Sequence, residues 1–100
     1  YIELFSAKDI NGIADMLAEE FILQDPVVKR IEGKKLGLGE IEKIFKGCQH
    51  LRFSAKNIYV HNNTTLIEFD LKIDDVALEG VDIIEWRDNK IIELRAYLDV

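Results

Sequence analysis

The sequence predicts a single α+β domain spanning residues 1–100, and three observations predict it. Apolar residues in the first half recur at the three- and four-residue intervals of amphipathic helices. In the second half they alternate with polar residues, the period of strands covered on one face. Pairs of turn-forming residues punctuate that second half at hairpin spacing. Helices followed by such a meander pack as one layer on one face of a curved sheet.

The elements follow in order. Ile2, Leu4 and Phe5 read as the end of a first helix. Lys8-Asp9 breaks it, and Asp9 is placed to cap a second helix in which Ile10, Ile13, Ala14 and Leu17 share a face. Phe21-Ile22-Leu23 is too short for a helix and reads as a strand. Asp25-Pro26 stops it, because proline has no N–H and holds its predecessor out of the helical region. Gly33, Gly37 and Gly39 predict a loop, and Ile41, Ile44, Phe45 and Cys48 make one face of a third helix.

Leu51, Phe53 and Ala55 then alternate with Arg52, Ser54 and Lys56, but Ile58 and Val60 continue on the other parity. That slip predicts a β-bulge near Asn57, a usual way to curve a sheet. Asn62-Asn63 is a hairpin turn, and Ile67, Phe69, Leu71 and Ile73 alternate with Glu68, Asp70 and Lys72 in a one-sided strand. Asp74-Asp75 turns again, Val76 to Arg87 is a long strand, Asp88-Asn89 a tight turn and Lys90 to Asp99 the last strand. No repeat, linker or low-complexity tract interrupts the pattern.

Composition narrows the function. Apolar residues make up 48% of the chain, enough for a real core. The net charge of −6 disfavours phosphate backbones, so no nucleic acid partner is expected. No apolar run approaches a membrane span and no basic-then-apolar leader appears, so no membrane association and no secretion is expected. Lone Cys48 cannot form an intrachain disulfide and suits a reducing cytoplasm, where it reads as core packing; with no CxxC partner and two histidines in the chain, no metal is expected. The chain starts at Tyr1 rather than Met, which reads as a trimmed N-terminus. His50 and His61 flank a strand without sequence partners, and no nucleophile elbow, phosphate loop or dinucleotide fingerprint is present.

Three side chains could carry chemistry. Val76, Leu78, Gly80, Asp82, Ile84 and Trp86 make one face of the long strand, apolar except for Asp82. A carboxylate buried there loses hydration, so it protonates or finds a partner. Two structural readings stand beside a functional one: Asp82 pairs with a buried donor, or the odd face with Val81 and Ile83 is the inward one. Asp25 reads as a turn former before Pro26 or as a general base at the mouth of a cone. Tyr1 alone reads as an aromatic at the core edge.

Several stretches together resemble the SnoaL-like families of the NTF2-like superfamily. They are "YIELFSAKDINGIADMLAEEF", the "DP" followed by the Gly-rich loop and "GEIEKIF", and "GVDIIEWRDNKIIELRAYLD" with its turn and "AYxD" ending. The resemblance covers essentially the whole chain. It implies a cone-shaped (cystatin-like) fold, three N-terminal helices packed on a strongly curved, mixed but mainly antiparallel sheet. Within the superfamily the site residues are similar to those of bacterial ketosteroid isomerase. There a tyrosine opens a "YIEL" stretch, a base aspartate precedes proline, and a protonated aspartate lies in a "VxDV" strand; these fall on Tyr1, Asp25 and Asp82. The resemblance implies that a ketone enters an apolar pocket, that Tyr1 and protonated Asp82 donate to its oxygen, and that Asp25 moves the proton, without cofactor.

It also implies a small apolar ligand held by Phe69, Leu71, Gly80, Ile84, Trp86, Leu94, Ala96 and Leu98, whose parity fits one face. The family's supporting tyrosines are replaced by Leu17 and Phe45, and a late pocket aromatic by Leu98. The alternative function is a non-catalytic ligand-binding or dimerisation domain. A limonene epoxide hydrolase-like set of Asp-Arg-Asp would need Arg95, which lies on the parity opposite Leu94 and Ala96. A homodimer is expected, because Ile58, Val60, Val81, Ile83, Ile91 and Tyr97 give the outer faces more apolar surface than a lone domain exposes.

Overall fold

A computed structural model describes residues 1–26 and 29–99. The chain runs α1 (Ile2–Ser6), α2 (Ile10–Met16), β1 (Leu17–Asp25), β2 (Lys29–Glu32), α3 (Lys34–Lys46), β3 (Leu51–His61), β4 (Thr64–Ile73), β5 (Val76–Arg87) and β6 (Lys90–Asp99). One sheet takes all six strands in the order β2-β1-β6-β5-β4-β3. β1 runs parallel to β6 and every other neighbouring pair is antiparallel, so the sheet is mixed and mainly antiparallel.

The helices depart from a block of three at the N-terminus. Two short helices precede the sheet, and α3 follows the β1–β2 pair. β1 starts at Leu17, well before Phe21, and β2 escapes a reading by periodicity because Ile31 is its only apolar residue. The glycines do not form one loop either. Gly33 takes a left-handed φ of 101° ahead of α3, but Gly37 and Gly39 lie inside the helix. Gly37 is there for close approach: a Cβ would stand 2.6 Å from the ring of Phe21 in β1. Asp9 caps α2 by accepting from the Gly12 N–H at 2.9 Å, as its position ahead of the helix suggests.

The four-strand meander matches the period-two reading closely. Asp88 and Asn89 both have positive φ, the geometry of a tight hairpin turn. The bulge falls between Ala55 and Asn57, where β3 shifts register against β4. Its effect corrects one expectation about the outer surface. After the bulge Ile58 pairs with Ile67 and Val60 with Thr65, so both stay on the inner face with Phe53 and Leu71. They are exposed because they lie on the edge strand beyond its cover, not because they face outward. Ile91 is fully buried and also belongs inside, where it pairs with Trp86 after a second bulge in the β5–β6 pair.

The core lies between the helices and this inner face. Phe21, Ile13, Phe69, Ile84 and Ile91 are its most deeply buried large side chains. A chain of aromatic contacts links α1 and α3 to the sheet: Phe45 to Phe5 at 5.1 Å, Phe5 to Phe53 at 5.3 Å and Phe53 to Phe69 at 4.7 Å between ring centroids. Ser6 locks α1 onto β3, its hydroxyl donating to the Phe53 carbonyl and accepting from the Phe53 N–H. Cys48 is buried and its thiol donates to the Ile44 carbonyl, a packing role.

The two glycines of α3 give opposite predictions. Gly39 is exposed with open space around it, so Gly39→Ala raises stability by about 0.5–1 kcal/mol through helix propensity alone. Gly37→Ala lowers stability, because its new methyl meets the Phe21 ring. Urea unfolding midpoints of both variants, at unchanged m-value, check the pair.

Candidate functional site

The register of the sheet fixes which side chains share the inner face. Ile67 stands opposite Asp82, and Asp82 opposite Ala96. In the parallel pair Leu23 meets Leu94 and Gln24 meets Arg95, which carried one residue further sets Asp25 level with Ala96. Asp25, Ala96, Asp82 and Ile67 therefore form one row across β1, β6, β5 and β4. The row above it holds Leu23, Leu94 and Ile84, all buried, so this is the inward face. The odd residues Val81 and Ile83 face the other way and are half-buried.

Asp82 is the one buried charged residue among the described residues, with 4% of its surface exposed. No hydrogen bond or ion pair among the described residues holds its carboxyl. Loss of hydration raises its pKa from 3.8 to about 7, so near neutrality a large fraction is the neutral acid, a hydrogen-bond donor. Tyr1 is next to it electrostatically. Burial first, and the Asp82 carboxylate second, push the Tyr1 phenol well above the usual range. The Tyr1 ring is fixed edge-on to Phe53 at 6.1 Å and tilted against Phe5 at 5.8 Å. Two groups with raised pKa values thus lie within electrostatic reach of one another.

A cleft of about 500 Å³ opens beside Tyr1, and Asp82 is not on its lining. Tyr1, Ile2 and Leu4 of the α1 segment form one wall; Ile58, Ile67, Ile84 and Trp86 form the sheet side. Its polar groups are few. Trp86 donates its indole N–H to the Thr65 hydroxyl at 3.0 Å, and Glu3 stands at the rim. Asp25 is half-buried and lines a different cleft, of about 340 Å³, with Gln24, Pro26, Arg30, Ala96 and Tyr97. From the spacing of strands, the Asp25 and Asp82 backbones lie about 10 Å apart, with only the small Ala96 side chain between.

The structure thus sets Tyr1 within electrostatic reach of Asp82, and places Asp25 in the Asp82 row but on a different cleft from Tyr1. Of the residues expected to hold a ligand, Ile84 and Trp86 line the Tyr1 cleft and Ala96 the Asp25 cleft. Phe69 and Leu94 are core residues, and Leu71 borders a polar surface groove. Gly80 lies against the Phe69 ring and Leu98. Leu17 and Phe45 are buried in the core, where they pack and do not hydrogen-bond through their side chains. Thr65, Ile67 and Ile58 were not among the expected lining residues. Ile67 is recoverable by counting back from the two-residue turn at Asp74-Asp75, which makes it the partner of Asp82. Arg95 lies on the outer face, held by Glu93 at 2.5 Å and Glu85 at 3.1 Å, so it does not reach the cleft. Among the described residues no helix is long and apolar enough to cross a membrane, and no His, Cys, Asp and Glu group has the arrangement of metal ligands.

Comparison with known proteins places this geometry. Residues 1–94 match the model of the SnoaL-like domain. No curated protein sequence matches the chain significantly. Among solved structures, a putative ketosteroid isomerase from Kribbella flavida superposes with a TM-score of 0.88 at 17% identity, covering 100% of this chain and 73% of that one. A putative isomerase from Bacillus subtilis gives 0.79 at 25% identity over 98% and 80% of the two chains. An LEH-like epoxide hydrolase from M. tuberculosis gives 0.80 at 17% identity over 98% and 76%. The shared fold is a cone-shaped NTF2-like one with a six-stranded mixed sheet; the chemistries differ, so the fold alone does not select one.

The Asp82 environment predicts a pH-dependent stability. Between about pH 4 and pH 7 the native state holds a proton on Asp82 that the unfolded chain has released, so stability falls as pH rises through that window. The gap between 3.8 and about 7 corresponds to about 4 kcal/mol. Asp82→Asn removes this loss: urea unfolding shows the variant increasingly more stable than wild type up to pH 7, and the difference shrinking towards pH 4.

Proposed function

The chain belongs to the SnoaL-like domain family, and from that premise we propose that it is a small-molecule pocket protein working as a ketosteroid-isomerase-like enzyme, moving a proton on an apolar ketone. The pairing of Tyr1 with Asp82 carries this reading. Burial raises the pKa of both, so the phenol and the protonated fraction of Asp82 can donate, and Tyr1 lines a mainly apolar cleft whose wall includes Ile67 and Ile84, the neighbours of Asp82. Such a pair is suited to an oxygen that gains negative charge.

The steps use three side chains. The ketone oxygen accepts hydrogen bonds from the Tyr1 hydroxyl and the protonated Asp82 carboxyl. Asp25 takes a proton from carbon adjacent to the carbonyl or conjugated with it. The electron pair of that C–H bond moves onto the ketone oxygen, where the two donors hold the enolate more strongly than they held the ketone. Asp25 then returns the proton to a different carbon of the dienolate, and the carbonyl re-forms. Trp86, Ile67 and Ile84 supply the apolar contact that favours a ring-shaped hydrocarbon body.

One observation favours the second reading, a ligand-binding domain without catalysis. Asp25 opens to the cleft with Arg30 and Tyr97 and not to the one beside Tyr1, and Phe69 and Leu94 fill the core where a larger pocket would lie. Activity separates the two. Wild-type protein converts a β,γ-unsaturated 3-ketosteroid to the conjugated enone, read by ultraviolet absorbance. Asp25→Asn lowers kcat by about 10²–10⁴, the usual contribution of a general base. A folded wild-type protein with no turnover removes the isomerase reading and leaves ligand binding.

Self-association belongs to the same proposal. The outer face presents Tyr59 and Tyr97 at 59% and 50% exposure beside half-buried Leu66, Val81 and Ile83. Of its central charges Arg95 is paired with Glu93 and Glu85, and Glu68 accepts a hydrogen bond from Asn57. We assign this face to contact with a second copy of the chain. Sedimentation equilibrium gives twice the 11.5 kDa chain mass for wild type, and Tyr97→Glu shifts it to the monomer.

A further inference from the structure

The end of the sheet opposite the Tyr1 cleft has its own groove, of about 510 Å³, and the two share no lining residue. Lys8, His50, Arg52 and Lys72 line it, with Asp74 and Asp75. Arg52 and Lys72 are directly opposed across β3 and β4. Like charges in that position repel, so nothing in the fold itself favours the pair. In a chain of net charge −6, carboxylates are plentiful and cations usually find one. Arg30, Arg87 and Arg95 each do. Arg52 does not among the described residues, nor do Lys72 and Lys8.

The two acids of the groove offset those three cations only in part. Asp74 is committed to the backbone, its carboxylate accepting from the Gln49 and His50 N–H groups at 3.0 and 2.9 Å. Its pKa is lowered by those hydrogen bonds, and also by the charges of His50 and Lys8, which reports a positive local field. Lys8 is held in place by the Cys48 and Gln49 carbonyls at 2.6 and 3.4 Å. Asp75 is the remaining carboxylate on the lining. Lys8, Arg52 and Lys72 against Asp74 and Asp75 leave the groove with a net charge of +1 in a chain whose net charge is −6.

We propose that this groove binds a small soluble molecule through a phosphate group, with Arg52 and Lys72 as its two principal ligands and Lys8 supporting them. The guanidinium fork of Arg52 fits two phosphate oxygens, and the ammonium of Lys72 supplies the second charge. A doubly charged group relieves the repulsion between them, which a single carboxylate does less well. This inference is independent of the ketone chemistry, because no residue is shared with that site.

Inorganic phosphate and pyrophosphate titrated into the whole protein at low ionic strength, followed by calorimetry, test it. Wild type binds both saturably, pyrophosphate the more tightly. Arg52→Gln and Lys72→Gln each weaken binding about tenfold, as expected for loss of a hydrogen bond to a charged group. Lys35→Gln, an equal change of charge on the exposed side of α3, leaves it within about twofold. Thermal unfolding without ligand adds a readout of opposite sign: Lys72→Gln raises the melting temperature, because it removes the charge facing Arg52. The proposal is overturned if neither anion binds saturably, or if Lys35→Gln weakens binding as much as Arg52→Gln. It is equally overturned if Lys72→Gln lowers the melting temperature, or if the protein binds only vesicles containing phosphatidic acid and neither soluble anion.

Discussion

Asp82 cannot leave the interior without taking Gly80 and Ile84 with it, because strand parity ties the three to one face of β5. Ile84 is 1% exposed, and its neighbours across the sheet, Leu94 and Thr65, hold the register on both sides. A slip by one residue would turn the whole apolar set of β5 to water. Burying one carboxyl therefore costs less than exposing that face. The sheet imposes the carboxyl on the core, and its raised pKa follows from that imposition and not from a charge partner.

The elements around Asp82 organise themselves to this constraint. α1 is short and would not persist alone. It is held by Ser6 on the Phe53 backbone and by the Phe5 ring between Phe45 and Phe53. That anchoring fixes the Tyr1 ring against Phe5 and Phe53, within electrostatic reach of Asp82. Among the described residues no group hydrogen-bonds the Asp82 carboxyl, yet no buried side-chain oxygen is left without a partner, so the carboxyl oxygens keep some access to water. The opposed Arg52 and Lys72 are a local inconsistency at the other end of the meander, of the kind natural proteins retain where a ligand completes the arrangement.

The meander was legible because period two survives in a sheet with one wet face, and the turns Asn62-Asn63, Asp74-Asp75 and Asp88-Asn89 mark its ends. The bulge at Asn57 was legible as a parity slip, but its consequence was not. A slip in sequence restores the same face in space, so Ile58 and Val60 remain inside. The first half was less legible. β2 carries four residues with a single apolar one, and a helix that accepts Gly37 and Gly39 contradicts local propensity. Packing against Phe21 explains Gly37, and that contact joins residues far apart in sequence. For the site, the apolar company of Asp82 showed its burial in advance. The separate clefts of Tyr1 and Asp25 could not be read, because they depend on how α1 and the β1–β2 end cover the sheet.

Chemistry on this scaffold is decided by which polar groups the parity of β1, β5 and β6 admits to the inner face. Arg95 is one residue from Ala96 in sequence and on the opposite surface in space, neutralised by Glu93 and Glu85. A mechanism that needs an inward arginine on this strand is therefore closed to the chain, whatever its fold. Asp25 and Asp82 are admitted, at opposite sides of Ala96, and they differ in environment: one half-buried in a cleft with Arg30, the other enclosed by hydrocarbon. The proposed division into a base and a donor draws on that difference in surroundings. It rests on the alternation of one sheet, and it would be lost with a single-residue shift of β5.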